Sequence, residues 1–109
     1  MLQEYENKII EMLALIYISI PWGKIKTNKN AYDIFNHRVR AASRRSNLYE
    51  AISKLANYFG LQSLNPEIIK LVEELRPYER EVLNKIYLEH IPICMRSIIR
   101  AKEIKEGRK

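Results

Sequence analysis

Apolar residues recur every three or four positions through most of the chain, and this spacing constrains the fold more than any other feature. A period of 3.6 residues belongs to an α-helix with one buried face, whereas a half-buried strand alternates with a period of two. The segments Ile9–Ile20 and Leu48–Phe59 have the helical period, and no segment has the strand period. The sequence therefore predicts an all-α fold.

Proline, glycine and asparagine divide this pattern into a compact bundle of five to six short helices. Asn30, Asn47 and Asn65 stand where helix N-caps are needed, and Pro66 stands in a first helical position. Gly60 follows the third helix, where a left-handed cap is expected. The helices are predicted at about 3–19, 31–43, 47–59, 66–76, 77–91 and 92–104. A chain of 109 residues buries about one core, so we expect a single helical domain over residues 1–109.

Charge is distributed unevenly along the chain, which has 19 Lys and Arg, 13 Asp and Glu, and a net charge of +6. Residues 24–48 contain seven basic residues and one acidic residue, a net charge of +6. Residues 93–109 contain six basic and two acidic residues, a net charge of +4. The stretches 1–23 and 49–92 each have a net charge of −2. A basic balance of this kind indicates a polyanionic partner.

We expect the basic residues to neutralise the phosphates of a nucleic acid, because the planar guanidinium of arginine binds two phosphate oxygens at once. Arg40 and Arg44 are expected to share one helix face, and Arg96 and Arg100 another, in a second contact zone. Contact with about five phosphates predicts a slope of log affinity against log salt near −4 to −5. The alternative interpretation is a solvated charged surface. The candidate nucleic-acid-binding residues are Lys24, Lys26, Lys29, Arg38, Arg40, Arg44, Arg45, Arg96 and Arg100.

The segment Pro21–Asn30 has no helical period and is predicted to be a connector, although a short strand pair through Ile18–Ile25 is an alternative. Trp22 and Tyr32 flank its lysines. Aromatic rings between basic residues are typical of single-strand binding, because every base offers a face for stacking. Trp22 and Tyr32 are therefore candidate base-stacking residues; the alternative is that Trp22 covers the end of the first helix.

Several classes of protein and site are disfavoured by what the sequence lacks. The most apolar stretch, Met12–Ile20, is about half the length that crosses a bilayer, so we expect no membrane partner. Cys94 is the single cysteine, which suits a reducing cytoplasm. His90 and Cys94 are four residues apart, but no second pair completes a metal site, and no phosphate loop or nucleophile elbow is present. We expect no metal, no cofactor, no small-molecule substrate and no catalytic residue; the chain is not expected to be an enzyme.

Residues 76–89 resemble the first helix of the helix-turn-helix in sigma-factor region 4. The resemblance is carried by Arg76-Pro77-Tyr78-Glu79-Arg80-Glu81-Val82-Leu83, followed by Ile86-Tyr87-Leu88-Glu89. A turn and a recognition helix with a polar start come next in that family, whereas Ile91-Pro92-Ile93-Cys94-Met95 follows here. This resemblance implies a DNA-binding transcription regulator, which is one alternative function.

Over its whole length the chain resembles the small subunits of archaeal CRISPR interference (Cascade) complexes. The resemblance rests on size, helical character, richness in Ile and Lys, and the cluster of Arg38, Arg40, Arg44 and Arg45. It implies a non-catalytic subunit of an antiviral ribonucleoprotein that contacts the backbone of target or displaced DNA or of guide RNA, while base pairing reads sequence. The acidic fourth and fifth helices would then contact neighbouring protein subunits. Another alternative is a protein-interaction module, such as a phage or viral antagonist, whose basic face contacts an acidic protein.

Overall fold

The computed structural model of the chain describes residues 2–26 and 28–107. Over these residues the chain forms six α-helices and two single-turn 3-10 helices, and no strand. The α-helices are α1 (Leu2–Ser19), α2 (Ala31–Ala42), α3 (Leu48–Tyr58), α4 (Pro66–Leu75), α5 (Glu79–Leu88) and α6 (His90–Lys105). The 3-10 turns are Trp22–Lys24 and Arg76–Tyr78. The prediction of an all-α bundle is confirmed.

Three asparagines begin helices as their positions in the sequence predict. The side-chain oxygens of Asn30, Asn47 and Asn65 each accept a hydrogen bond from a backbone amide in the following turn, at 2.7 to 2.9 Å. Each bond satisfies an amide that has no partner inside its helix. After α3, Gly60 has a φ of +82°, a backbone angle that glycine adopts without a steric penalty.

Three helix boundaries differ from prediction by two residues or more, and they are the two ends of α5 and the start of α6, all near prolines. Pro77 lies in the second 3-10 turn, so α5 begins two residues later than expected. α6 begins at His90, two residues before Pro92. A proline in the first turn removes no helical hydrogen bond, because the amides there have no partner within the helix. As a result Glu89 alone separates α5 from α6.

All six helices contribute side chains to one continuous core. α1 packs along α6 and against α4, while α2 contacts α6, α3 and α5. The Cα radius of gyration is 12.8 Å, as expected for a compact chain of this length. The core includes Ile9, Met12, Leu13, Ile16, Phe35, Leu48, Leu55, Ile68, Leu75, Ile86 and Ile93. None of the helices in residues 2–26 and 28–107 has both the length and the hydrophobicity that a bilayer span requires.

An aromatic cluster folds the connector back over the end of α1. The indole N–H of Trp22 donates to the carbonyl oxygen of Tyr17 at 3.0 Å. The Trp22 ring lies 5.0 Å from the ring of Tyr17 and 5.3 Å from that of Phe59, centroid to centroid. Because α1 and the first 3-10 turn occupy this region, the alternative of a strand pair through Ile18–Ile25 is wrong.

Candidate nucleic-acid interface

The C-terminal half of α2 and the facing side of α3 line a shallow depression of about 380 Å³. Ala41 and Ala42 belong to its wall, and their small side chains leave space between the two helices. The charged residues around it are Arg38, Arg45 and Lys54. The described residues that line this depression therefore carry positive charge only.

A second depression, of about 560 Å³, adjoins the first on the side of the connector. Arg38 and Tyr58 line both depressions, so the two meet at this pair of side chains. The connector contributes Lys26 and Lys29, and α2 contributes Asp33 as the acidic residue of the lining. The positive lining thus continues from α3 toward the connector.

A third depression, of about 390 Å³, lies where the turn after α2 meets α5. Arg45 lines it as well as the first depression, so the first depression adjoins both of the others. Arg44 and Arg80 are the other charged residues of its lining. We call the three depressions together the basic groove; its cationic residues are Lys26, Lys29, Arg38, Arg44, Arg45, Lys54 and Arg80.

Two of these cations, Lys54 and Arg80, were missed by reasoning from the sequence. Both lie in residues 49–92, whose net charge of −2 gives no indication of a basic site. Lys54 is exposed on α3 and Arg80 on α5, and only the packing of these helices against α2 and its following turn places them in the groove. No signal in the local sequence distinguishes them from ordinary surface charges.

Most groove cations remain unneutralised. Lys26, Arg44, Arg45 and Lys54 are exposed and take part in no ion pair within the described residues. The guanidinium of Arg38 instead stacks on an aromatic ring, with its central carbon 3.5 Å from the centroid of Tyr58. A ring attracts a cation without cancelling its charge. The groove therefore retains a positive potential that a polyanion can neutralise.

Arg40 and Arg44 do not share a helix face, because α2 ends at Ala42 and Arg44 lies in the turn beyond it. Arg40 extends toward α5, where its Nη2 donates to the hydroxyl oxygen of Tyr87 at 3.3 Å. Tyr87 lines the third depression, so Arg40 borders the basic groove. The four-residue spacing therefore predicted the wrong geometry for this pair, and their contact with phosphate stays a prediction.

The two arginines of the predicted second contact zone on α6 form ion pairs with acidic residues of the protein itself. Arg96 is paired with Glu6 of α1. Arg100 donates from Nε to Glu11 of α1 at 2.7 Å and from Nη1 to Glu103 at 3.3 Å. The hydrogen bond with Glu11 is the main reason that the pKa of Arg100 is raised. Arg96 and Arg100 thus neutralise Glu6 and Glu11 of α1, and we do not place phosphates on these two arginines.

The remaining predicted residues lie outside the groove lining. Lys24 is exposed at the end of the first 3-10 turn. Trp22 is half-buried in the aromatic cluster, as the alternative interpretation of a cover over α1 predicts. Tyr32 is also half-buried, and its hydroxyl donates to the carbonyl oxygen of Ile91 at 3.4 Å. Partial burial reduces the ring surface that either residue can offer to a base, and their role in stacking stays a prediction.

His90 and Cys94 both lie on α6, where His90 contacts α2 and Cys94 is buried. Nδ1 of His90 lies 2.9 Å from Oδ1 of Asn36, and burial raises the pKa of the Cys94 thiol to about 12. Over residues 2–26 and 28–107, no group of three or more His, Cys, Asp or Glu residues is arranged to hold a metal ion.

Comparison with known protein families, with curated proteins and with solved structures finds no match to this chain. The functional argument therefore rests on the basic groove and on the contacts of its side chains.

Proposed function

We propose that this chain is a non-catalytic nucleic-acid-binding protein that holds a sugar-phosphate backbone in the basic groove. The observation that carries the proposal is the composition of the groove: seven cationic side chains and one carboxylate line three adjoining depressions. Arg44, Arg45 and Lys54 have no carboxylate partner among the described residues. Phosphates supply the missing negative charge, and the contacts are independent of base sequence.

The proposal extends to a place in a larger ribonucleoprotein, as a small subunit of a CRISPR interference complex in antiviral defence. Sequence in such an assembly is read by base pairing, so a subunit needs only backbone contacts. Contacts with neighbouring protein subunits are supported by a row of large apolar side chains that are 51% to 68% exposed. The row comprises Leu88, Ile91, Met95 and Ile99.

The arrangement of α5 and α6 does not favour the alternative of a helix-turn-helix regulator. That motif has a turn of three or four residues, whereas Glu89 alone separates these helices. The first turns of α6 expose Ile91 and Met95, which have no polar group to read a base edge.

The proposal is tested by reversing two groove charges, with a matched reversal elsewhere. The double variant Arg44→Glu, Arg45→Glu lowers the net charge by four units, and so does the control Lys70→Glu, Arg76→Glu, whose residues do not line the groove. Binding to labelled 12-nucleotide single strands and duplexes is measured by fluorescence anisotropy. At 3.4 Å per base pair, the 12-base-pair duplex spans about 40 Å, slightly more than the 36 Å length of the molecule.

We expect the groove variant to lose at least about tenfold in affinity and the control to lose much less, because local phosphate contacts outweigh net charge. Equal losses in the two variants would mean that binding follows net charge alone. A wild-type protein that binds neither strand but binds an acidic protein would favour the protein-interaction alternative.

A further inference from the structure

Tyr58 occupies the centre of the basic groove, where the first and second depressions meet. It is the last residue of α3, and 50% of its surface is exposed. The ring is perpendicular to that of Phe59, with centroids 5.0 Å apart and planes at 88°. This contact joins the ring to the aromatic cluster, while half of the residue's surface remains exposed in the groove.

The guanidinium of Arg38 lies over the face of this ring. Its guanidinium carbon is 3.5 Å from the ring centroid, the distance of a stacked pair. A guanidinium held in this way keeps its N–H groups at the edge of the plane, where they are directed outward. The pair thus combines planar surfaces for stacking with donors for a phosphate, at one point of the groove.

The neighbouring cations place phosphate-binding groups on both sides of this pair. Lys54 lines the first depression, and Lys26 and Lys29 line the second. A backbone that runs from one depression to the other must pass Tyr58 and Arg38, because these two residues line both. A base attached to that backbone at the crossing point lies within reach of the planar pair.

We infer that Tyr58 and Arg38 form a stacking site for one unpaired nucleobase, so that the groove takes single-stranded nucleic acid in preference to a duplex. This inference rests on the proposed function and assigns it a ligand class. In a duplex, bases are already stacked on their neighbours and their faces are inaccessible, whereas an unpaired base stacks on an aromatic ring or a guanidinium plane.

The decisive variant is Tyr58→Ala, and Tyr49→Ala provides a matched control. Tyr49 lies on the same helix and is 54% exposed, but it does not line the groove. We expect Tyr58→Ala to weaken binding of a 12-nucleotide single strand by about fivefold to a hundredfold. Duplex affinity should change less than about twofold, since the phosphate contacts remain. Tyr49→Ala should match the wild-type protein with both ligands.

Two further variants separate stacking from folding and from charge. Tyr58→Phe keeps the ring and should bind the single strand as the wild-type protein does. Arg38→Lys keeps the charge but loses the plane, so it should weaken single-strand binding more than duplex binding. A fluorescent base analogue in the strand, quenched when it stacks, should be quenched by the wild-type protein and not by Tyr58→Ala.

The outcomes distinguish this inference from the proposed function. Unchanged single-strand affinity in Tyr58→Ala, or equal losses on single strand and duplex, would overturn the stacking site and leave phosphate binding in the groove intact. A wild-type protein that binds neither ligand would overturn the proposed function, and the stacking site with it.

Discussion

Replacing Arg45 or Arg96 by glutamine should affect nucleic-acid binding differently. Both are exposed arginines, and the side chain of Arg96 is 53% exposed. Arg45 lines two depressions of the basic groove and has no ion-pair partner among the described residues, whereas Arg96 is paired with Glu6. Substitution by glutamine removes one charge in each case and keeps a long polar side chain. Only the first substitution should remove a phosphate contact.

The size of the effect follows from the release of counterions. Each phosphate contact on a single strand contributes about −0.7 to the slope of log affinity against log salt. Five contacts give a wild-type slope of about −3.5, so affinity falls roughly a hundredfold between 50 and 200 mM salt. Arg45→Gln should reduce the slope to about −2.8, and Arg96→Gln should leave it at about −3.5.

The assay is an anisotropy titration of a labelled 12-nucleotide strand at four potassium chloride concentrations, with both variants measured beside the wild-type protein. The control should fold normally, because Glu6 also lies 4.0 Å from Lys85 and keeps a basic neighbour when Arg96 is replaced. The reasoning is refuted if Arg45→Gln keeps the full wild-type slope, or if Arg96→Gln loses as much slope as Arg45→Gln.

Three further predictions concern the fold. The Cys94 thiol, buried and with its pKa raised to about 12, should resist a thiol reagent at about pH 8 until urea is added; rapid labelling of the folded protein would contradict this. Phe35→Ala should lower the free energy of unfolding by about 3–5 kcal/mol in urea denaturation, because Phe35 is fully buried; a loss below about 1 kcal/mol would contradict it. Burial and the charge of Arg40 lower the pKa of His90, so the folded state favours the neutral ring. The stability that the neutral ring contributes is lost as pH falls below 6.5, the ordinary pKa of histidine. The urea midpoint should therefore fall less in His90→Gln than in the wild-type protein between about pH 7 and pH 5.5. Identical decreases in the two proteins would contradict this prediction.

The helices are predictable from the sequence because their signals are local. An asparagine such as Asn47 caps a helix through an amide three residues away, at 2.9 Å, and Gly60 ends the same helix by its own backbone angle. The apolar period of 3.6 residues then identifies the buried face of each helix. Such features act within one or two turns of the chain, so the sequence contains all that is needed to recognise them.

The groove is only partly predictable, because charge neutralisation depends on residues that are distant in sequence. Arg100 has the same local pattern as a phosphate-binding arginine, yet its partner Glu11 lies 89 positions away. The packing of α1 along α6 brings Glu6 and Glu11 against Arg96 and Arg100. The net charge of one segment cannot show that its charged residues are neutralised by residues of another segment.

The same packing explains why the charge excess of residues 24–48 remains available for a ligand. The stretches that flank α2 in the groove are α3 and α5, and they contribute Lys54 and Arg80 to its lining rather than carboxylates. The acidic residues of 49–92 are distributed elsewhere, as in the pair of Arg76 with Glu73. A cation is a candidate ligand contact when the fold leaves it without a carboxylate, and by that criterion the turn after α2, with Arg44 and Arg45, is where substitutions should affect nucleic-acid binding most.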